Sequence, residues 1–99
     1  MFADDFLVSA SLNALPLDAE FSASSTSGTS PMTIDFTDLS SGNPTSWSWS
    51  FGDGGSSFLQ SPIHTYQSAG SYTVSLVVSD GTDSSTETKT DYILSLIHI

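Results

Sequence analysis

Residues 47–54 read Trp-Ser-Trp-Ser-Phe-Gly-Asp-Gly, and the strict alternation of aromatic and seryl residues over 47–51 decides how the chain is read. A period of two places Trp47, Trp49 and Phe51 on one face of a strand and Ser48 and Ser50 on the other, as a half-buried strand requires. The glycines of Gly52-Asp53-Gly54-Gly55 then end it, because they permit backbone that a strand interior does not use. Upstream, Phe21 and Ala23 alternate with Ser22 and Ser24. After a Ser/Thr/Gly turn over 25–30, Met32, Ile34 and Phe36 alternate with Thr33, Asp35 and Thr37. Downstream, a short strand is expected over 56–59 and another at Ile63-His64-Thr65-Tyr66, after Pro62. Tyr72, Val74, Leu76 and Val78 then face one way and Thr73, Ser75, Val77 and Ser79 the other. The turn Asp80-Gly81-Thr82-Asp83 leads into a Thr-rich last strand, 85–93. Seven short strands with no helical stripe predict an all-β immunoglobulin-like β-sandwich of two antiparallel sheets. Its expected core is Phe21, Met32, Ile34, Phe36, Trp49, Phe51, Tyr72, Val74, Leu76 and Val78.

Composition agrees and removes several functions. The 99 residues suffice for one domain. Ser and Thr make up a third of the chain, and only 12% of residues are charged, a composition of strand faces and turns. A formal charge of −10 with one Lys and no Arg leaves no cationic surface for nucleic acid, nor a polybasic membrane patch. No run reaches the roughly 18 apolar residues of a membrane span, so direct membrane insertion is not expected. Without Cys there is no disulfide scaffold, thiolate zinc site or Cys nucleophile. Asn43-Pro44-Thr45 is barred from N-linked glycosylation by its Pro.

Three motifs in order carry a resemblance to a known family. They are Trp47 to Gly54, then Pro62-Ile63-His64-Thr65-Tyr66, then Gly70-Ser71-Tyr72-Thr73-Val74-Ser75-Leu76-Val77-Val78. Together they resemble the PKD (polycystic kidney disease) repeat domain. The resemblance implies an immunoglobulin-like sandwich of extracellular parts of microbial surface proteins and of secreted proteases and glycosidases, where it mostly spaces or binds. The resemblance covers about 19–93, the expected sandwich, while the scattered apolar positions of 1–18, closed off by Pro16, read as a linker or the tail of a preceding domain. The run Leu94-Ser95-Leu96-Ile97-His98-Ile99 abandons the Thr-rich style and resembles translated sequencing-adaptor sequence, so 94–99 is expected to be a non-native, exposed extension.

The motif residues read first as structure. Trp49 stands where sandwiches place a core Trp, and Tyr72, two residues past Gly70, stands like a corner tyrosine whose hydroxyl ties a loop to a strand. Val74 takes the place of a disulfide cysteine, so packing replaces a covalent clamp. Asp53, between Gly52 and Gly54, is expected to cap its own turn through backbone N–H groups. His64 and Tyr66 share a face, which suits a hydrogen bond inside the sandwich; a metal site would need further ligands beside His64. A hydrolase needs a nucleophile, base and orienting group, and only one His lies inside the domain, so no catalytic residues and no enzyme are expected. Calcium is the one candidate cofactor, with Asp80 and Asp83 the first choice among acids at strand ends and loops. The expected partners are a protein or polysaccharide surface and neighbouring domains of a longer chain. Two functions fit: a non-catalytic interaction or spacer module of a secreted or cell-surface protein, or a carbohydrate-binding accessory domain of a secreted hydrolase or protease. The second needs exposed aromatic rings, for which Trp47, Phe58 and Tyr92 are the test.

Overall fold

The computed structural model describes residues 16–97. Residues 1–15 of the expected linker, and His98 and Ile99 of the expected tail, lie outside the described residues. Eight strands run in the order β1 (Phe21–Ala23), β2 (Ser27–Thr29), β3 (Met32–Asp38), β4 (Ser46–Ser50), β5 (Ser56–Ser57), β6 (Ile63–Tyr66), β7 (Gly70–Ser79) and β8 (Ser84–Leu96). They form a three-stranded sheet, β1-β3-β6, and a five-stranded sheet, β2-β8-β7-β4-β5. The alternation sets which side of each strand is wetted: β3 alternates buried and exposed along its first six residues, and β4 buries Trp49 between exposed Ser48 and Ser50.

The two sheets meet through aromatic edges. Trp49 of the larger sheet lies 5.1 Å from Phe21 and 5.5 Å from Phe36 of the smaller one, centroid to centroid. Its indole Nε1 donates to the Leu59 carbonyl at 2.9 Å, so the largest core side chain leaves no donor unpaired. Val74, Leu76 and Val78 line the facing side of β7, and Met32, Ile34, Phe51, Tyr66, Ile93 and Ala19 are buried with them.

Three expectations need correction. The Ser/Thr/Gly turn contains a strand, β2, which pairs parallel with β8 in the register Ser27↔Leu94, Gly28↔Ser95 and Thr29↔Leu96. The count is therefore eight, and one pair departs from the antiparallel rule. The ladder uses backbone groups only, so the apolar pattern carried no trace of it. Nor does β8 stop at Ile93: Leu94 and Ser95 also pair with Ser71 and Gly70 of β7. Leu94 and Leu96 are exposed, as an extension would leave them, yet the backbone of Leu94 and Ser95 pairs with β2 on one side and β7 on the other, Leu96 pairs with β2, and Ser95 is buried at 2% exposure. Finally, Tyr72 is half-buried because its ring lies at the start of β7, where the hydroxyl reaches a loop carbonyl.

One irregularity keeps β8 in phase. Val74 pairs with Lys89 but Tyr72 with Ile93, so the bulge accommodates extra β8 residues around Asp91, which has φ 50° and whose N–H donates to Thr73 Oγ1 at 3.1 Å. Because the insertion preserves parity, Ile93 and Ser95 still point inward beyond it. Before the bulge, the inward Lys89 places Nζ 2.9 Å from Glu20 Oε1 and 3.3 Å from Glu87 Oε2, and 5.1 Å from the Phe21 ring centroid. The Glu20 contact joins β8 to the residue preceding β1 across the gap between the sheets.

Two stability outcomes follow from the core. Trp49→Ala should cost about 3–5 kcal/mol, most of the stability of a small domain, and thermal melting should show the transition lost or sharply lowered. Ser95 Oγ is buried and, among the described residues, has no hydrogen-bond partner. Ser95→Ala should therefore raise stability by about 1 kcal/mol in urea titration, since it removes a desolvated hydroxyl and little volume.

Candidate functional site

The Gly-Asp-Gly turn and β6 meet at the lateral opening of the sandwich where β5 and β6 are the outermost strands. Gly52 has φ 88°, and a Cβ there would stand 2.5 Å from the Thr73 carbonyl oxygen, so only glycine lets β4 turn this close to β7. Gly54 has φ 94° and faces open space. Asp53 caps the turn as expected: Oδ1 accepts from the Gly55 N–H at 2.9 Å, while the Phe51 N–H donates to the Gly55 carbonyl at 3.1 Å.

The other Asp53 oxygen is engaged as well. Oδ2 lies 2.7 Å from His64 Nε2, and the two side chains are 21% and 19% exposed. His64 stacks on Phe51 with centroids 4.1 Å apart and planes 11° from parallel, and meets the edge of Tyr66 at 4.7 Å. A Cβ on Gly55 would fall 2.6 Å from His64 Cε1, so the glycine makes room for the imidazole. The Tyr66 hydroxyl donates to the Phe51 carbonyl at 2.8 Å. Tyr66 also stacks on Tyr72, whose hydroxyl donates to Ser68 at 2.7 Å, the corner expected from the sequence. Gly70 opens β7 beneath that ring.

The electrostatics follow from these bonds. Burial works against the Asp53 carboxylate, but hydrogen bonds from His64 and the Gly55 amide outweigh it and hold the group below its ordinary value of 3.8. Burial first, then the nearby Asp53 charge, pushes the Tyr66 phenol upward. His64 and Asp53 are thus brought together, and each has a structural partner on its other side: a ring for one, an amide for the other.

The remaining candidates lie elsewhere. Trp47 shares the β4 face with Trp49 but is half-buried, not core; its Nε1 donates to Asp38 Oδ2 at 3.0 Å, an acceptor the indole finds only at the rim. Asp38 is a residue the sequence reading missed as a structural centre. Its Oδ2 also receives Gln60 Nε2 at 3.1 Å and its Oδ1 receives the Ser40 N–H at 3.0 Å. Burial opposes its ionisation and these donors prevail, lowering its pKa. The Lys89–Glu20 contact was missed too, although a lone cation in an acidic chain was a signal that it would be claimed internally. Asp80 Oδ1 accepts the Thr82 and Asp83 N–H groups at 2.9 and 2.8 Å, closing the turn between β7 and β8. Among the described residues, no three or more His, Asp or Glu side chains gather as a metal-sized group.

With this geometry in hand, comparison with known proteins decides the family. The sequence profile of the PKD domain matches residues 13–94. The chain belongs to the PKD domain family. The PKD1 domain of the Vibrio cholerae metalloprotease PrtV is similar at 30% identity with a TM-score of 0.67, over 80% of this chain and 98% of that one. A Methanosarcina mazei protein is 40% identical with a TM-score of 0.62, over 81% of this chain and 55% of that one. A structure described as a carbohydrate-binding module from the beta-sandwich superfamily is 25% identical with a TM-score of 0.74, over 85% of this chain and 36% of that one. Comparison with curated protein sequences gives no match.

The Asp53–His64 pair makes two measurable statements. Asp53→Ala should lose about 1 kcal/mol of stability through the lost cap alone, in chemical denaturation. The carboxyl of Asp53 is more acidic folded than unfolded, so its stabilisation is present above the ordinary 3.8 and is lost as pH falls through the lower, folded-state value. Melting temperature should therefore fall on acidification below about pH 5, and less steeply in Asp53→Asn, which keeps an acceptor for Gly55 but no titrating group.

Proposed function

We propose that this PKD domain is a non-catalytic interaction or spacer module in the extracellular part of a longer secreted or cell-surface protein, joined there to neighbouring domains. The observation that carries the reading is the Asp53–His64 pair. Among the described residues it is the one place where a base and an orienting acid stand within hydrogen-bonding distance, and it is spent on the turn: 2.7 Å to each other, Gly55 on one side, Phe51 on the other. A base stacked at 4.1 Å on a core ring and made to close a turn is held for support, whereas catalysis needs it aimed at a substrate. The kinship with a metalloprotease's PKD1 domain supports an accessory place beside an enzyme.

A second reading, carbohydrate binding, is favoured by the carbohydrate-binding-module neighbour and by Phe58, which is 79% exposed. It is the weaker one. Trp47 and Tyr92 are half-buried, and a sugar platform usually needs more than one open ring.

The test is an activity screen of the intact chain on ester, peptide and glycoside substrates, alongside His64→Ala. No turnover by either protein, with a lower melting temperature for the variant, is the expected outcome. Turnover abolished by His64→Ala at unchanged stability would reverse the assignment. Retention on an insoluble polysaccharide, lost in Phe58→Ala, would favour the second reading.

A further inference from the structure

The loop that joins β5 to β6 presents its apolar side chains to water while its backbone is tied to the core. Phe58 and Leu59 are 79% and 65% exposed. The Leu59 carbonyl accepts Trp49 Nε1 at 2.9 Å, and the Leu59 N–H donates to Ser57 Oγ at 3.1 Å. Gln60 Nε2 and Ser61 Oγ bond to Asp38, and the Pro62 carbonyl accepts the Phe36 N–H at 2.9 Å. Five hydrogen bonds, one of them from the most buried indole, thus fix a segment that holds two large apolar groups outward. Folding alone gains nothing from such an arrangement, since exposed apolar area contributes no hydrophobic stabilisation. A preorganised binding loop does gain, because the ordering cost is met before a partner arrives. Ile63, which opens β6 directly after the loop, is also exposed, at 69%.

The charge around the loop indicates what fits it. Asp35 pairs in register with Ile63, and Asp38 anchors the loop. The one Lys of the chain lies at the opposite lateral opening, held by Glu20 and Glu87. The formal charge of the chain is −10, so its field repels acidic partners and other copies of itself. We infer that the β5–β6 loop, through Phe58 and Leu59, is the docking surface for a basic protein segment whose apolar side chains meet those two and whose Lys or Arg residues face the surrounding carboxylates. This rests on the interaction-module reading above and names the partner's chemistry.

The experiment uses the whole chain and three short synthetic peptides that share two leucines, flanked by lysines, glutamates or serines. Binding is read by fluorescence anisotropy, for the natural sequence and for a Phe58→Ser/Leu59→Ser variant, whose unchanged melting temperature is checked first. The lysine peptide should bind, the glutamate peptide should not, and the variant should lose about tenfold in affinity for the lysine peptide. Binding should also weaken between low and physiological salt. Equal binding by the variant would overturn the loop assignment while leaving an interaction module standing, since the attraction would then be the charge of the chain at large. Equal binding of lysine and serine peptides would overturn the basic partner. No peptide binding, together with turnover in the activity screen, would overturn this inference and the module reading at once.

Discussion

The packing of Trp49 between Phe21 and Phe36 is the contact on which the sandwich depends. No disulfide crosses the sheets, since the chain has no Cys, and their separation is set by an indole meeting two phenyl rings at 5.1 and 5.5 Å. Interior side chains are packed at crystal-like density, so a group of that size determines where the facing strands lie. The same indole reaches out of the core to the Leu59 carbonyl, so the β5–β6 loop takes its position from the core itself.

Around that centre, the sandwich is closed at its two lateral openings by different chemistry. On the β1/β8 side, Lys89 spans to Glu20 and lies over Phe21 and Tyr92. The hydrogen bond with Glu20 leads in raising the lysine pKa, and the bond with Lys89 leads in lowering that of the acid. On the β5/β6 side, His64 meets Asp53. An inward charge beside an outer strand also discourages pairing with a stray strand, because a second chain would have to desolvate it. Both contacts are partly open to solvent, so their contribution to stability is modest and their value is positional.

How far the sequence foretold this depends on which interactions leave a periodic mark. The alternation at Met32–Phe36, Trp47–Phe51 and Tyr72–Val78 located three strands and eight of the twelve buried hydrophobic residues among those described, because burial on one side of a strand has a period of two. Gly52-Asp53-Gly54 announced its turn and the Asp53 cap, and Tyr72 announced its corner. The pairing of His64 with Asp53 was not readable, since it depends on where two separate elements end in space. The β2–β8 ladder was hidden for another reason: Ser27-Gly28-Thr29 has no apolar side chain to mark it. Tyr72 misled because periodicity gives a residue's face but not how far the opposite sheet extends over it.

The confinement of Lys89 has a consequence for digestion. It is the only Lys or Arg in the chain, and it pairs with Val74 in the middle of the longest strand. A protease that cuts after basic residues needs an extended, unpaired segment in its cleft. The folded domain offers such an enzyme no open site, and cleavage must wait until β7 and β8 separate. Resistance to trypsin-like digestion is thus coupled to the stability of that one hairpin, and the rate of cutting would report how often it opens.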